Sequence, residues 1–432
     1  MKQKKSPFLR VMSPLRDFLN TEAAGGSLLV LAAVVALVWA NSPWSGSYDD
    51  LWHSRAAIEI AGHSLSLDLR HWVNDAAMAV FFLIVGLEIK REVSSGHLAG
   101  RRAATLPVVA AIGGMVIPAG IYLAIAGGDA AKGWGIPMAT DIALAVGVMA
   151  LAGKGVPSSL RAFLLGLAVV DDIGAIVIIA IFYSSGVSFA WLALGAGALL
   201  ATLVVRQVGV QSMVVYVGLG VTLWFALHEA GVHPTLAGVA MGLLAPVTPR
   251  FQAELVDADE LTNLAGVEHA RSTIALARGS VSTVEWLEHI LHPWTSYLIV
   301  PIFALANAGI EVSNTSVEHA LESPITWGVF AGLMVGKPLG VLLATKFTTR
   351  SGLADLPAGT TTRHLLGAGS AAGIGFTVAI FIAELAFDSG DPAVDAIRVA
   401  DAKMAILVAS LLSGVLAFVV LRRGSAPADP GL

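Results

Sequence analysis

The sequence of 432 residues contains no cysteine. That excludes disulfides, thiol catalysis and any Cys-ligated metal. Charge is scarce as well: 13% of residues are Asp, Glu, Lys or Arg, about half the ~25% usual for soluble proteins. A soluble chain that is 56% hydrophobic would have too little polar material for its surface. The basic start MKQKK leads into a polar stretch, with no early apolar core and no small-residue cleavage site, so a cleaved signal peptide is not expected. What the chain has instead is mean hydropathy of +0.76 and repeated apolar runs of about 20 residues. These predict an all-α polytopic membrane protein, targeted by its own spans, with no nucleic-acid partner.

The runs predict about twelve helices, near 20–40, 71–92, 105–126, 134–152, 160–183, 188–205, 213–229, 232–246, 293–310, 326–345, 364–386 and 400–421. The eighth is short, and it forms a broken or re-entrant pair with the seventh. A cytoplasmic segment 1–19 precedes one transport domain, 20–421, and a cytoplasmic tail 422–432 follows it. With the N-terminus inside, twenty of the 26 Lys and Arg fall in cytoplasmic segments and four (Arg55, Arg70, Lys132, Arg398) outside. That bias places both termini in the cytoplasm. Lys337 and Lys403 lie in apolar runs. "AAIEIAGHSLSLDL", Ala56 to Leu69, alternates apolar and polar residues around a Gly-containing turn and predicts a small external β-hairpin. It reads as a lid over its own loops or as an intersubunit contact. The cytoplasmic loop 247–291 is acidic and reads as solvated surface.

Four intramembrane features carry chemistry. "GLAVVDDIGAIVIIAI" places Asp171 and Asp172 side by side in an apolar helix, at a cost of roughly 2.5–3.5 kcal/mol each near a bilayer centre. In "WGIPMATDIALAVGV", Pro137 removes a backbone donor, while Thr140 and Asp141 are helix-start residues. This predicts a helix interrupted mid-membrane with Asp141 at the positive end of its second half; a simple kink is the plainer alternative. "GAGSAAGIGFTVAIFIAE" predicts a second interruption, or close helix packing through small residues. These two segments hold corresponding places in 105–183 and 326–421, the sequence pointer to inverted repeats around a mid-membrane site. Finally, Lys337 in "LMVGKPLGV" needs a carboxylate partner, unless its stem snorkels to the cytoplasmic surface.

Neighbouring helical residues point about 100° apart. One of Asp171 and Asp172 therefore faces Lys337 while the other faces a water-filled funnel. Two carboxylates with the Thr140 hydroxyl or backbone carbonyls supply the oxygen ligands that a small hard cation wants. Protons compete for the same oxygens, and that competition with alternating access is enough for antiport.

The stretches "ATDIALAVGVMALAG", "LAVVDDIGAI", "GKPLG", "GVHPTLAG", "NDAAMAVFFLIVGLEIKRE" and "LEHILHPWTSYLIVPIFALANAG" together resemble the NhaA-type bacterial sodium/proton antiporters, from about Phe18 to about Leu421. The rule about paired interrupted helices was itself drawn partly from that family. The resemblance implies twelve helices, the fourth and eleventh crossing where both unwind. It implies that Asp171 and Asp172 bind sodium and protons beside Thr140, and that Lys337 pairs with Asp171. Asp141 and Lys337 would offset the half-helix ends. His233, Glu88, Glu288, His289 and His292 would serve the pH response. Sodium, lithium and protons would be cargo with no resident cofactor. Exchange would be electrogenic, with more protons than sodium ions per cycle. The protein would be a homodimer in the bacterial inner membrane and not an enzyme. An intramembrane aspartyl hydrolase and another sodium-coupled transporter or channel are the rival readings. The hydrolase lacks a Gly-x-Gly-Asp motif, and a buried lysine disturbs a shared carboxylate proton.

Overall fold

A computed structural model describes residues 22–60, 63–96, 98–153, 155–184, 186–210, 212–248, 281–387 and 391–424. The N-terminal segment 1–19, the loop residues 249–280 and the tail from 425 lie outside the described residues.

Helix α1, Glu22–Ala40, is followed by α2, Ser45–His53. Strands β1, Arg55–Ile60, and β2, His63–Asp68, pair antiparallel with Arg55 opposite Asp68 and Ile60 opposite His63. The Asp68 side chain accepts from the His71 N–H at 2.7 Å and so starts the next helix, α3, Leu69–Ser94. Then come α4, Arg101–Ile125, a 3₁₀ segment, Gly128–Met138, and α5, Ile142–Ala152. The remaining helices are α6, Ser158–Phe182, α7, Phe189–Gln207, α8, Met213–Glu229, α9, Leu236–Leu244, and α10, Thr283–Asn307. They continue with α11, Asn314–Glu322, α12, Pro324–Arg350, α13, Thr362–Ala372, α14, Phe376–Ala386, and α15, Pro392–Gly424.

Seven of these helices are long and apolar enough to cross a membrane, and up to ten spans result if each bent pair counts as one. The bent pairs are α1 with α2 (113°), the 3₁₀ segment with α5 (50°) and α13 with α14 (47°). The chain is therefore an all-α multi-pass membrane protein apart from the two strands. Helix α8 is apolar but shorter, and α9 spans only nine residues.

Two helices begin earlier than their apolar runs. Helix α10 starts ten residues before the expected 293, because Ser282 and Glu285 form a capping box. Helix α15 starts eight residues before the expected 400, with Pro392 in its first turn and the Asp391 carboxylate accepting from the Ala393 and Val394 N–H groups. Hydropathy marks where the bilayer is crossed; caps mark where the helix begins.

The chain divides into two compact units. One contains the described residues among 1–74, 100–183 and 296–432, the other those among 75–99 and 184–295. In the first, α4, α5, α6, α12, α13 and α15 share a core that includes Ala110, Met149, Leu160, Leu164, Leu167, Val341, Leu365 and Ala417. Helices α4 and α12 meet backbone to backbone at Gly113 and Gly340, where a Cβ on either would overlap the other's carbonyl. In the second unit α9 lies as tightly on α3, since a Cβ on Gly238 would overlap the Ala79 carbonyl.

Candidate functional site

Interrupting two helices inside a membrane exposes backbone groups at four new ends. In the first unit each of the four ends has a side-chain partner, and the two interruptions meet directly. The Asp141 N–H donates to the Ile374 carbonyl at 2.6 Å.

The two N-terminal ends share one carboxylate. Asp141 caps α5 by accepting from the Leu144 N–H at 3.2 Å through Oδ1. Its Oδ2 accepts from the Thr377 hydroxyl at 2.7 Å and the Thr377 N–H at 3.3 Å, at the start of α14. One negative charge thus faces two positive helix ends. The two C-terminal ends are met by donors. Lys337 donates to the Met138 carbonyl, the last of the 3₁₀ segment. The Thr140 hydroxyl lies 2.9 Å from the Ala372 carbonyl, the last of α13.

Both donors also reach Asp171. Lys337 Nζ and Thr140 Oγ1 each lie 2.7 Å from Asp171 Oδ2. Asp171 and Lys337 are fully buried as side chains. The Asp171 Oδ1 atom is buried and, among the described residues, has no hydrogen-bond partner. Asp172 is buried on the next position of α6. Thr140 has one hydroxyl hydrogen and two acceptors within reach, Asp171 Oδ2 and the Ala372 carbonyl. It bonds one fully at the other's expense.

Lys337 does not snorkel. Its relative exposure is 0%. The α4–α12 approach at Gly113 and Gly340 presses its stem toward α4, so that a Cβ on Gly114 would lie 3.7 Å from Lys337 Cδ and Cε. A π-helical turn, Gly332–Gly336, immediately precedes it, a distortion common at functional sites.

The remaining candidates belong to the second unit. His233 Nδ1 is 2.7 Å from the Thr235 hydroxyl, and its Nε2 is 3.6 Å from Asp75 Oδ1. His228 Nδ1 lies 3.8 Å from Asp75 Oδ2 and its ring stacks on Trp224. Glu288 forms an ion pair with Arg91 of α3, which also lies 3.5 Å from Glu92. Glu88 is half-buried on the same helix, one turn before Glu92, while His289 and His292 are exposed on α10. Glu88 lies within electrostatic reach of Arg91, Glu92 and Glu288.

Several members of these constellations lie beyond the expected residues. Thr377 and Asp75 stand in the quoted stretches, and Asp75 is an acidic residue at the start of an apolar run, a usable signal. The Met138 and Ala372 carbonyls carry no side-chain signal at all.

The chain matches the sequence profile of the family described as Na+/H+ antiporter 1 over residues 16–421. It is 44% identical over 442 residues to Na(+)/H(+) antiporter NhaA 2 of Sorangium cellulosum, covering 98% of this chain and 92% of that protein. It is 44% identical over 442 residues to Na(+)/H(+) antiporter NhaA of Oleidesulfovibrio alaskensis, with 98% and 97% covered. To the protein of the same name from Escherichia coli O1:K1 / APEC it is 43% identical over 414 residues, with 95% and 98% covered. The partnered helix interruptions thus occur in a sequence aligned almost end to end with these relatives, and the chain belongs to the Na+/H+ antiporter 1 family.

Proposed function

We propose that the protein exchanges sodium for protons across the bacterial cytoplasmic membrane by alternating access, exporting sodium. The observation that carries this reading is the Asp171 carboxylate. One of its oxygens is engaged by Lys337 and Thr140, and the other is buried without a hydrogen-bond partner among the described residues. A buried anionic oxygen of that kind asks for a cation or a proton. In this reading Asp171 and Asp172 bind sodium as cargo with the Thr140 hydroxyl, and protons displace it from the same oxygens.

The half-helix ends make the exchange consequential. While Asp171 is anionic it attracts the Lys337 ammonium and the Thr140 hydroxyl hydrogen. Neutralising it frees both for the Met138 and Ala372 carbonyls, which end the two first half-helices. Occupancy of the carboxylate is thereby felt at the interruptions. The two N-terminal ends are held separately, by the Asp141 carboxylate.

The family relationship supports the finer parts of the proposal. These are twelve helices working as one domain over 20–421, inverted repeats near 105–183 and 326–421, both termini in the cytoplasm, lithium as alternative cargo, a homodimer and no resident cofactor. Exchange of more protons than sodium ions makes the cycle electrogenic. His233, Glu88, Glu288, His289 and His292 would set its pH response; the Asp75 carboxylate near His233 and the Arg91–Glu288 pair support that assignment for His233 and Glu288. A hydrolase reading is disfavoured by the lysine on Asp171. The test is proton flux in everted vesicles. Adding sodium alkalinises the lumen if the protein is an antiporter, and a sodium-independent proton gradient rejects the reading.

A further inference from the structure

The partners at the start of α14 do not all come from the interrupted helices. A helix N-terminus leaves its first N–H groups without intrahelical acceptors. Gly375, the residue that precedes α14, has no side chain with which to cap it. The first intrahelical bond runs from the Ala379 N–H to the Gly375 carbonyl. The Phe376 and Thr377 N–H groups therefore need acceptors from elsewhere. Asp141 serves Thr377. Phe376 N–H donates to the Ser410 hydroxyl oxygen at 3.3 Å, and Ser410 is buried in α15.

Helix α15 holds α14 at a second level. Lys403 Nζ lies 2.5 Å from Glu384 Oε1. Glu384 follows Thr377, and Lys403 precedes Ser410, by about two turns of helix. The two contacts thus secure both ends of α14 to the same helix. Only the Ser410 contact reaches the interruption.

We propose that Ser410 is a positioning residue for the ion site, fixing the start of α14 so that Asp141, and through it Thr140, stay in register with Asp171. This rests on the antiport reading above. The chain of contacts is short. Ser410 holds the Phe376 N–H, two residues from Ile374, whose carbonyl accepts the Asp141 N–H. Asp141 is the chain neighbour of Thr140, which contacts Asp171 Oδ2. Without the Ser410 oxygen, the first N–H of α14 is left buried and unpaired, and the end of the half-helix shifts to find another acceptor. The expected consequence is weaker cargo binding before any loss of maximal rate.

The experiment compares Ser410→Ala, Ser410→Cys and Ser410→Thr in the full chain, reconstituted in everted vesicles. The readouts are apparent sodium KM, maximal rate and pH profile, with melting temperature beside them. Ser410→Ala is expected to raise KM by up to about tenfold, the factor that one net hydrogen bond carries, with a smaller change in maximal rate. Ser410→Thr keeps the hydroxyl and is expected to restore the parent KM. Ser410→Cys, of similar size but a weaker acceptor, is expected to fall between, and it decides the matter if the alanine variant does not assemble. Lys403→Met combined with Glu384→Gln removes the outer contact without stranding a charge and is expected to leave KM unchanged. A parent-like KM and pH profile in folded Ser410→Ala or Ser410→Cys overturns the proposal, as does failure of Ser410→Thr to restore KM. Absence of sodium-driven flux in the parent itself would reject the antiport reading instead.

Discussion

Two lysine–carboxylate pairs lie within the apolar helices of the first unit, and they differ in what surrounds them. Lys337 and Asp171 are both completely buried, and both Lys337 and Thr140 divide their hydrogen bonding between Asp171 and a half-helix end. Lys403 and Glu384 join α15 to α14, and the glutamate keeps 22% of its side chain exposed. The chemistry of the two pairs is the same. The inner pair is tied to an interruption, so a change of charge there alters which carbonyls are satisfied. The outer pair joins α15 to the far end of α14, about two turns from the interruption, so a change of charge there alters how firmly the two helices adhere. A buried ion pair is weak evidence for stability by itself; its connections decide what it does.

The most severe way to break that contrast is to remove the exchangeable charge beside the inner pair. Asp172→Asn keeps volume and hydrogen bonding but loses the anionic ligand. Sodium-driven proton flux in vesicles should disappear while the protein remains folded. Undiminished flux would remove Asp172 from the site.

The two lysines can then be compared directly. Lys337→Ala strands a fully buried carboxylate, a loss of about 3–5 kcal/mol for a pair of this kind. The melting temperature in detergent should fall clearly. Lys403→Ala strands a carboxylate that is partly open to solvent, so its melting temperature should fall less. Equal shifts in the two variants would erase the distinction drawn between the pairs.

How much of this was legible in the sequence follows from the same energetics. Asp141, Asp171, Asp172 and Lys337 stand out because charge in an apolar run is costly, and the structure brings all four to the interruptions or beside them. Pro137 and the glycines before Phe376 mark where the two helices break. Ser410, by contrast, is a small hydroxyl in the last helix, and small hydroxyls are common in packed helices without purpose. Its position opposite the Phe376 N–H exists only after folding. The early starts of α10 and α15 were hidden for another reason, because capping residues lie in polar sequence where hydropathy has no contrast. The acidic loop around 260 lies among residues the structure does not describe.

The smallest effect extends the series to an exposed pair. Burial alone would raise the Asp68 carboxyl, but the His71 N–H and ring outweigh it and hold Asp68 below its ordinary value of 3.8. A lowered folded-state value means that its stabilisation is present above the unfolded value and is lost as pH falls through the folded one. His71 is 63% exposed, so the gain is modest. Asp68→Asn should lower the melting temperature slightly at neutral pH, and the difference from the parent should shrink as pH drops below about 4. A difference that persists unchanged in acid would mean that the cap works without the charge.

The central claim is that protons and sodium contend for one pair of adjacent carboxylates. Its most direct test is apparent sodium affinity measured across pH in reconstituted vesicles, for the parent and for His233→Ala. If Asp171 and Asp172 form that shared site, they titrate as a coupled pair. Affinity then weakens by up to about tenfold per proton displaced for each unit fall in pH, wherever the carboxylates take up protons. The slope should survive in His233→Ala, while a separate histidine sensor would shift or narrow the active range. An apparent sodium affinity that does not change with pH would contradict the shared site.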